Sequence, residues 1–403
     1  MRDLKWRALA AREAGQPTQA VALWRQVLQE SPDDWRIALE LKADLTCDYR
    51  YSEADPAFRR AAQSFPDAEW LAHYGSLFTF HSPDLPALIA RAEAILGRRP
   101  GNRDVHRLLG DLLMQHRQWP AAEHHLALAE QTEESAAKLA LVRLYLRLSA
   151  PADGTGPPYE IAYINLDRSA DRRADVVREF ADSPVTLRRV PAVEGRMLPE
   201  PAVRRLVGSD EVLRGTLGCF LSHVSAWETM LARGVSYCMV IEDDVVPQVR
   251  LPAHLGAFSL PAAFDVCFIN RGMQPRWPAA RVSAAAGFEA IPLIEAFASF
   301  PVNENAPGTD AYLLSAAGAR KLLDWVAADG FAADVDWRVL AYSISEAECA
   351  ALPSESFARG LLHRLHGLVG RPERLDSYVL HPALMRTVAV SSEREDDNRH
   401  RRG

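Results

Sequence analysis

Cysteine is scarce in this chain. Cys47, Cys219, Cys238, Cys267 and Cys349 are the only five in 403 residues, and no two form a Cys-x-x-Cys pair. An odd number at wide spacing makes no disulfide framework and fits reduced thiols. Cys219, Cys238 and Cys267 sit in apolar runs and are expected to be packed core residues. Positive charge is not in excess either. Lys and Arg total 46 against 53 Asp and Glu, a net charge of −7, which argues against a general nucleic-acid binder. No apolar run reaches the roughly 18 to 20 residues of a membrane span. The opening, MRDLKWRALAAREAG, is charged throughout and has no signal-peptide apolar block. A soluble, cytoplasmic chain is expected, with at most peripheral attachment at the inner membrane. G-x-G-x-x-G is absent, which removes the dinucleotide fingerprint. HExxH and His-x-Asp clusters are absent too, which disfavours a metal-dependent hydrolase.

What is present is ordinary soluble-protein composition, 48% apolar and 25% charged, over a length that suits two domains. The first 150 residues repeat at a spacing of 34. Ala20, Ala54, Leu88 and Ala122 fall in one column, and Trp24, Phe58, Ala92 and Leu126 in a second. Val27, Ala61, Ile95 and Ala129 form a third; Pro32, Pro66, Pro100 and Glu134 form a fourth, where proline fails only in the last copy. Small residues let helices approach, large ones fill the groove, and proline stops the helix before it. The pattern resembles tetratricopeptide repeats, with residues 135–150 expected to cap the stack. The resemblance implies a concave surface for a protein partner; a spacer or dimerisation arm is the alternative. PADGTGPP, residues 151–158, is expected to be a linker without core contacts.

The second part is organised around YCMVIEDDV, residues 237–245. A short apolar run reads as a strand buried on both faces. An unpaired charge in a dry interior is very costly, so Glu242, Asp243 and Asp244 belong at the strand's carboxyl end, where open α/β sheets put their ligands. Strand alternation would give Glu242 and Asp244 one face and Asp243 the other. Such carboxylates suit a hard divalent cation, Mn²⁺ or Mg²⁺. An acidic turn that merely ends a strand is the competing reading.

Around that stretch, residues 159–166, 185–190, 264–270 and 308–315 read as further strands. Strand then helix at 159–180 opens like a nucleotide-binding α/β unit. Ser169 is a candidate N-cap, and Val176, Val177 and Phe180 form an apolar stripe. The turn carries Asn165, Asp167, Arg168, Arg172 and Arg173, and arginines near a strand end can pair with phosphate oxygens. A solvated charged helix face is the alternative, above all for Arg173. Residues 215–234 read as a helix with Leu217, Leu221, Val224 and Leu231 inward, Gly215 and Gly218 opening its turn, and Ser222 and His223 early in it. A lone helical histidine is usually structural. Residues 316–328 give a helix with Leu322, Leu323 and Val326 inward. Phe357, Leu361, Leu362 and Leu365 make an apolar face that either packs on the core or lies at a membrane.

INLDRSADRR, GTLGCFLSH followed by Trp227, VIEDD, GTDAYLLS with Gly318-Ala319, and the Asp336 segment occur in this order. Together they resemble glycosyltransferase family 25, which includes bacterial lipooligosaccharide galactosyltransferases and collagen galactosyltransferases. The resemblance covers about residues 159–336. It implies a GT-A type, Rossmann-like α/β fold, a UDP-sugar donor (most often UDP-galactose) and inversion at the anomeric carbon. Glu242, Asp243 and Asp244 match the family's metal-binding acids. Asn165 and Arg168 match its donor-side opening motif, and Ser222 with His223 its SH pair. The acceptor hydroxyl needs a base opposite the leaving group; Asp336 is the first candidate, with His223 and Asp310 behind it. The implied acceptor is a glycan or glycolipid such as lipopolysaccharide or lipooligosaccharide. A repeat scaffold with a degenerate, non-catalytic transferase domain is the alternative. The expected layout is repeats at 1–150, linker at 151–158, transferase domain at 159–392 and a disordered charged tail at 393–403.

Overall fold

The computed structural model describes residues 2–32, 34–47, 53, 67, 70, 85–149, 155–207, 213–298, 308–353, 357–369 and 373–388. The chain divides into two compact units, with the boundary between Glu130 and Gln131.

The first unit is all helical among its described residues. Its helices are Arg2–Glu13, Pro17–Glu30, Trp35–Cys47, Leu85–Arg98, Arg103–Gln115 and Trp119–Leu128. Gly15 turns the chain between the first two with φ +68°, a conformation open to glycine at no steric cost, and Pro17 starts the next helix where a missing N–H is harmless. Asn102 caps its helix by accepting from Asp104 N at 3.1 Å and Val105 N at 3.2 Å. Described members of three of the 34-residue columns are core: Ala20, Trp24, Val27, Ala92, Ile95, Ala122, Leu126 and Ala129 are all buried, while Leu88 is half-buried. At Gly110 the helices touch, since an added Cβ would stand 2.5 Å from Leu126 Cγ. Ala54, Phe58, Ala61 and Pro66 lie outside the described residues, as does the tail at 393–403.

The helix Glu133–Leu148 corrects the expected boundary. Instead of capping the repeats it belongs to the second unit, where Ala140 and Leu144 join the main apolar core. Tyr145 Oη donates to Ala383 O at 2.7 Å, fully buried. The expectation rested on the segment's place directly after the repeats, which does not say which core receives its apolar side. The linker is corrected as well at its end. Pro157 O accepts from Leu255 N at 3.0 Å, Pro158 bridges His254, and Tyr159 Oη donates to Pro252 O at 2.7 Å.

The second unit is a mixed α/β domain. Its strands are β1 (Glu160–Asn165), β2 (Leu187–Pro191), β3 (Tyr237–Glu242), β4 (Val245–Pro247), β5 (Phe258–Ser259), β6 (Val266–Phe268), β7 (Phe288–Pro292), β8 (Ala311–Ser315), β9 (Ser377–His381) and β10 (Met385–Thr387). Eight form one sheet in the order β2-β1-β3-β8-β6-β9-β7-β5, and β4 pairs separately with β10. β2, β1 and β3 run parallel, whereas β8 lies antiparallel between β3 and β6. The inserted β8 decides where the site forms. Its amino end stands beside the carboxyl ends of β3 and β6, with Ile241 opposite Ala311 and Phe268 opposite Tyr312.

Local expectations are refined by packing. In the helix Ala170–Glu179 and its cap, Val176 and Phe180 are buried but Val177 is 51% exposed, one residue out of the four-residue step. Ser169 occupies the N-cap position without a capping side-chain bond. The helix Arg214–Ala232 is enclosed on most sides: Phe220, His223, Ala226, Trp227 and Met230 lie deeper than Leu221, Val224 and Leu231. Gly215 and Gly218 are inside this helix and do not open a turn. A Cβ on Gly218 would stand 2.7 Å from Val193 O, so the glycine lets the loop after β2 pack on the helix. Leu322 and Val326 are buried and Leu323 half-buried. In the helix Phe357–Val369, Leu362 and Leu365 join the core with Leu361 packed against them, which favours the packing reading over a membrane face; the Phe357 side chain lies outside the described residues. Among the described residues no helix is long and apolar enough to cross a membrane.

Candidate active site

The carboxyl ends of β1 and β3 meet the amino end of β8, and the candidate residues gather there. Ile164 is opposite Glu242, and Glu242 N donates to Asp310 O at 2.8 Å. β3 stops at Glu242; Asp243 and Asp244 form a turn into β4, so simple alternation does not extend through the three acids. Each carboxylate faces a different neighbour.

Asp243 turns toward β1. Asn165 Nδ2 donates to its Oδ2 at 2.6 Å, and Arg172 Nε lies 3.3 Å from Oδ1. Asn165 is itself fixed: its Oδ1 accepts from Arg189 Nε at 3.0 Å and its Nδ2 also donates to Ser169 O at 3.0 Å. Arg168 is directed elsewhere, into an ion pair with Glu194.

Glu242 turns toward the helix Arg214–Ala232. His223 Nε2 is 3.4 Å from its Oε1, and the Cys219 thiol donates to the same oxygen at 3.9 Å. His223 Nδ1 lies 3.0 Å from Tyr312 Oη, which accepts from Trp227 Nε1 at 2.7 Å. With the tyrosine oxygen receiving the indole N–H, its own proton is available to Nδ1, and the neutral imidazole then presents Nε2–H to Glu242. Burial holds the Tyr312 phenol well above its usual range, so it stays protonated in this chain. Ser222 points away. Its Oγ donates to Gly218 O at 2.6 Å and accepts from Val193 N at 2.8 Å, fastening the loop after β2 to the helix.

Asp244 and Asp310 are the strained members. Burial, followed by the charges of Glu242, Asp310 and Asp243, raises the Asp244 carboxyl well above the usual range; Arg172 opposes this. Its Oδ1 is buried with no hydrogen-bond partner among the described residues. Asp310 is pushed up to about 6, mainly by burial, although Thr387 Oγ1 donates to its Oδ2 at 2.5 Å and Asn270 Nδ2 to its Oδ1. Asp336 stands at the start of the helix Val335–Ser343, and its Oδ1 accepts from Thr309 N at 2.8 Å and Thr309 Oγ1 at 2.5 Å. The orphaned, buried Asp244 Oδ1 among carboxylates is the chemistry a hard divalent cation takes, but among the described residues Glu242, Asp243 and Asp244 face different neighbours and do not close into one set at ligand spacing.

Several participants were not singled out in the sequence. Tyr312 and Asn270 lie inside strands already recognised, but their partners are remote in sequence. Thr387 arrives from β10, 77 residues beyond Asp310, with no local signal. Cys219 carried one: it precedes His223 by four residues, which puts both on one helix face. Cys219 packs against the core as expected but is only half-buried, beside Glu242, while Cys238 and Cys267 are buried. Arg338, fully buried two residues past Asp336, has Nε, Nη1 and Nη2 without hydrogen-bond partners among the described residues.

Residues 159–336 match the sequence profile of glycosyltransferase family 25 (LPS biosynthesis protein). The chain is 33% identical over 184 residues to the probable inactive glycosyltransferase 25 family member 3 of Bos taurus, covering 41% of this chain and 28% of that protein. It is 36% identical over 97 residues to procollagen galactosyltransferase 2 of Homo sapiens, covering 21% of this chain and 16% of that protein. It is 30% identical over 181 residues to procollagen galactosyltransferase 1 of Danio rerio, covering 41% of this chain and 28% of that protein. The chain thus spans less than a third of the length of these curated relatives. The motifs in order, the acids at the strand ends of β1, β3 and β8, and the profile match fall together, and residues 159–336 are the segment that matches glycosyltransferase family 25.

Proposed function

We propose that the second unit is an active, GT-A-like, Rossmann-like transferase that moves a hexose, galactose first among candidates, from a UDP-sugar to a glycan with inversion. One observation carries this: Asp244 Oδ1 is buried and unpartnered among carboxylates that repel it, a state a bound cation relieves. Glu242 and Asp244 would hold Mn²⁺ or Mg²⁺, with Asp243 beside them locked by Asn165 and Arg172. The ion would supply charge stabilisation for the departing diphosphate. Arg172, at the same strand end, is suited to the donor's phosphates, and Arg168 stays a donor-side candidate through its pairing with Glu194. Ser222 supports the site by tying down Val193.

For the base, Asp336 is the first candidate, its carboxylate oriented at Oδ1 by the two Thr309 donors. Asp310, at about 6, is nearer neutral but both its oxygens are engaged. His223 is better read as the group that orients Glu242. The acceptor class is a glycolipid glycan such as lipopolysaccharide or lipooligosaccharide, met at the cytoplasmic side of the inner membrane. The first unit, read as tetratricopeptide repeats, would bring a protein partner. A second reading, a repeat scaffold with an inactive domain, is favoured by relatives named as inactive. Thermal stabilisation against a panel of nucleotide sugars, with Mn²⁺ and with chelator, separates the two. Metal-dependent stabilisation by one UDP-hexose together with UDP release supports transfer; neither effect with any donor overturns it.

A further inference from the structure

Beside the acidic cluster lies a second donor set of different chemistry. Cys219 Sγ, His223 Nε2 and a Glu242 carboxylate oxygen all fall within 4.8 Å of one another. Cys219 and His223 are one helical turn apart, and Glu242 reaches them from the end of β3. With metal–ligand bonds of about 2.0–2.3 Å in a tetrahedron, a nitrogen–oxygen edge is about 3.4 Å and a sulfur–oxygen edge about 3.6 Å. The observed separations are 3.4 Å and 3.9 Å. Two of the three edges thus already suit one small ion, and the third, sulfur to nitrogen, lies within 4.8 Å.

We propose that Cys219, His223 and Glu242 form a site for a thiophilic divalent cation, Zn²⁺ above all. The ligand types select it: thiolate, imidazole and one carboxylate suit zinc, whereas Mg²⁺ and Mn²⁺ prefer all-oxygen surroundings. The surroundings support it. Tyr312 holds His223 Nδ1 at 3.0 Å and is itself held by Trp227, the outer-shell fixing that metal-ligating histidines have. Binding balances simply. The Cys219 thiol releases its proton to solvent, and the imidazole changes tautomer, its proton leaving Nε2 for Nδ1, where it faces Tyr312 Oη, so that the Nε2 lone pair meets the ion. His223 is buried, but Cys219 is half-buried and the Glu242 side chain is 34% exposed, which leaves an open side for entry and for a fourth ligand. Glu242 belongs to both sets. Zinc bound here takes that carboxylate from the hard-cation cluster and therefore opposes, rather than replaces, Mn²⁺ in any transfer reaction.

The test reads the metal and not transfer, so it stands whether or not the domain is active. The full chain, reduced and freed of metal, is titrated with Co²⁺. A thiolate-to-cobalt charge-transfer band is expected at one ion per chain, bleached by stoichiometric Zn²⁺ and lost in Cys219→Ser at an unchanged melting temperature. In the parent protein, bound Zn²⁺ should slow iodoacetamide modification of Cys219, mapped by mass spectrometry, at least tenfold, whereas Mg²⁺ should not. This second arm needs no variant to fold. No charge-transfer band, a band that persists in Cys219→Ser, or a Cys219 modification rate indifferent to Zn²⁺ would each overturn the site.

Discussion

Asp244→Asn should make the metal-free protein more stable while it removes metal-dependent activity. The Asp244 carboxyl is raised by burial and by Glu242, Asp310 and Asp243, so ionising it works against the fold. A buried, unsatisfied polar group costs roughly 1–3 kcal/mol, more when charged. Asparagine has the same shape, and the charge part of that cost disappears. Relief of about 1–3 kcal/mol would raise the melting temperature in chelator by about 2–12 °C for a unit of this size. The parent behaves in the opposite way when metal is added. At a hundredfold excess over Kd a bound ion contributes about 2.7 kcal/mol, and the variant should lose most of that gain. UDP release with Mn²⁺ should fall by several orders of magnitude, each tenfold being about 1.4 kcal/mol of barrier. The assay is calorimetry of both proteins in chelator and in saturating Mn²⁺, beside a UDP-release measurement. A variant that melts lower than the parent in chelator, or keeps its full response to Mn²⁺, would refute the reasoning.

A chain beginning at Gln131 should fold and bind the same donor as the full protein. One beginning at Pro157 should be weaker by about 3–6 kcal/mol, because it loses buried Leu144 and leaves Ala383 O without the Tyr145 hydroxyl; equal denaturant midpoints would contradict this. His381 is pushed down from 6.5 to about 4 by burial, so its stability contribution is whole above pH 6.5 and is lost as pH falls through about 4. Acid titration of stability should show a component of about 3 kcal/mol over that window, and His381→Gln should flatten it; an unchanged acid limb in the variant would exclude His381 as its source. Asp336→Asn should abolish transfer with donor-dependent stabilisation retained, and an active Asp336→Asn would pass the base to Asp310. Leu362→Ala should cost about 2–5 kcal/mol as a core cavity without altering vesicle co-sedimentation; a melting curve like the parent's would show that this helix face is not core.

Much of this protein was legible from spacing alone. The 34-residue columns predicted which residues of the first unit are buried, because a helix face repeats with the chain and needs no distant partner: Ala20, Trp24, Ala92 and Leu126 are core as the period requires. The run ahead of Glu242 predicted a buried strand with acids at its end, because burial excludes charge from the middle of a strand. Tertiary structure decided the rest. Whether residues 133–148 serve the repeats or the sheet depended on which core Leu144 joins, which position after the repeats does not carry. The facing of Glu242, Asp243 and Asp244 followed from a turn after β3, so the strand's period-two alternation stops two residues short of Asp244. Asp310 joined the acids only because β8 enters antiparallel between β3 and β6, and Thr387 reached Asp310 only through β10. Helical and strand periods report on neighbours a few residues away; a site assembled from positions 165, 219, 242, 310 and 387 is set by strand order, which the sequence encodes only through the packing of the whole domain.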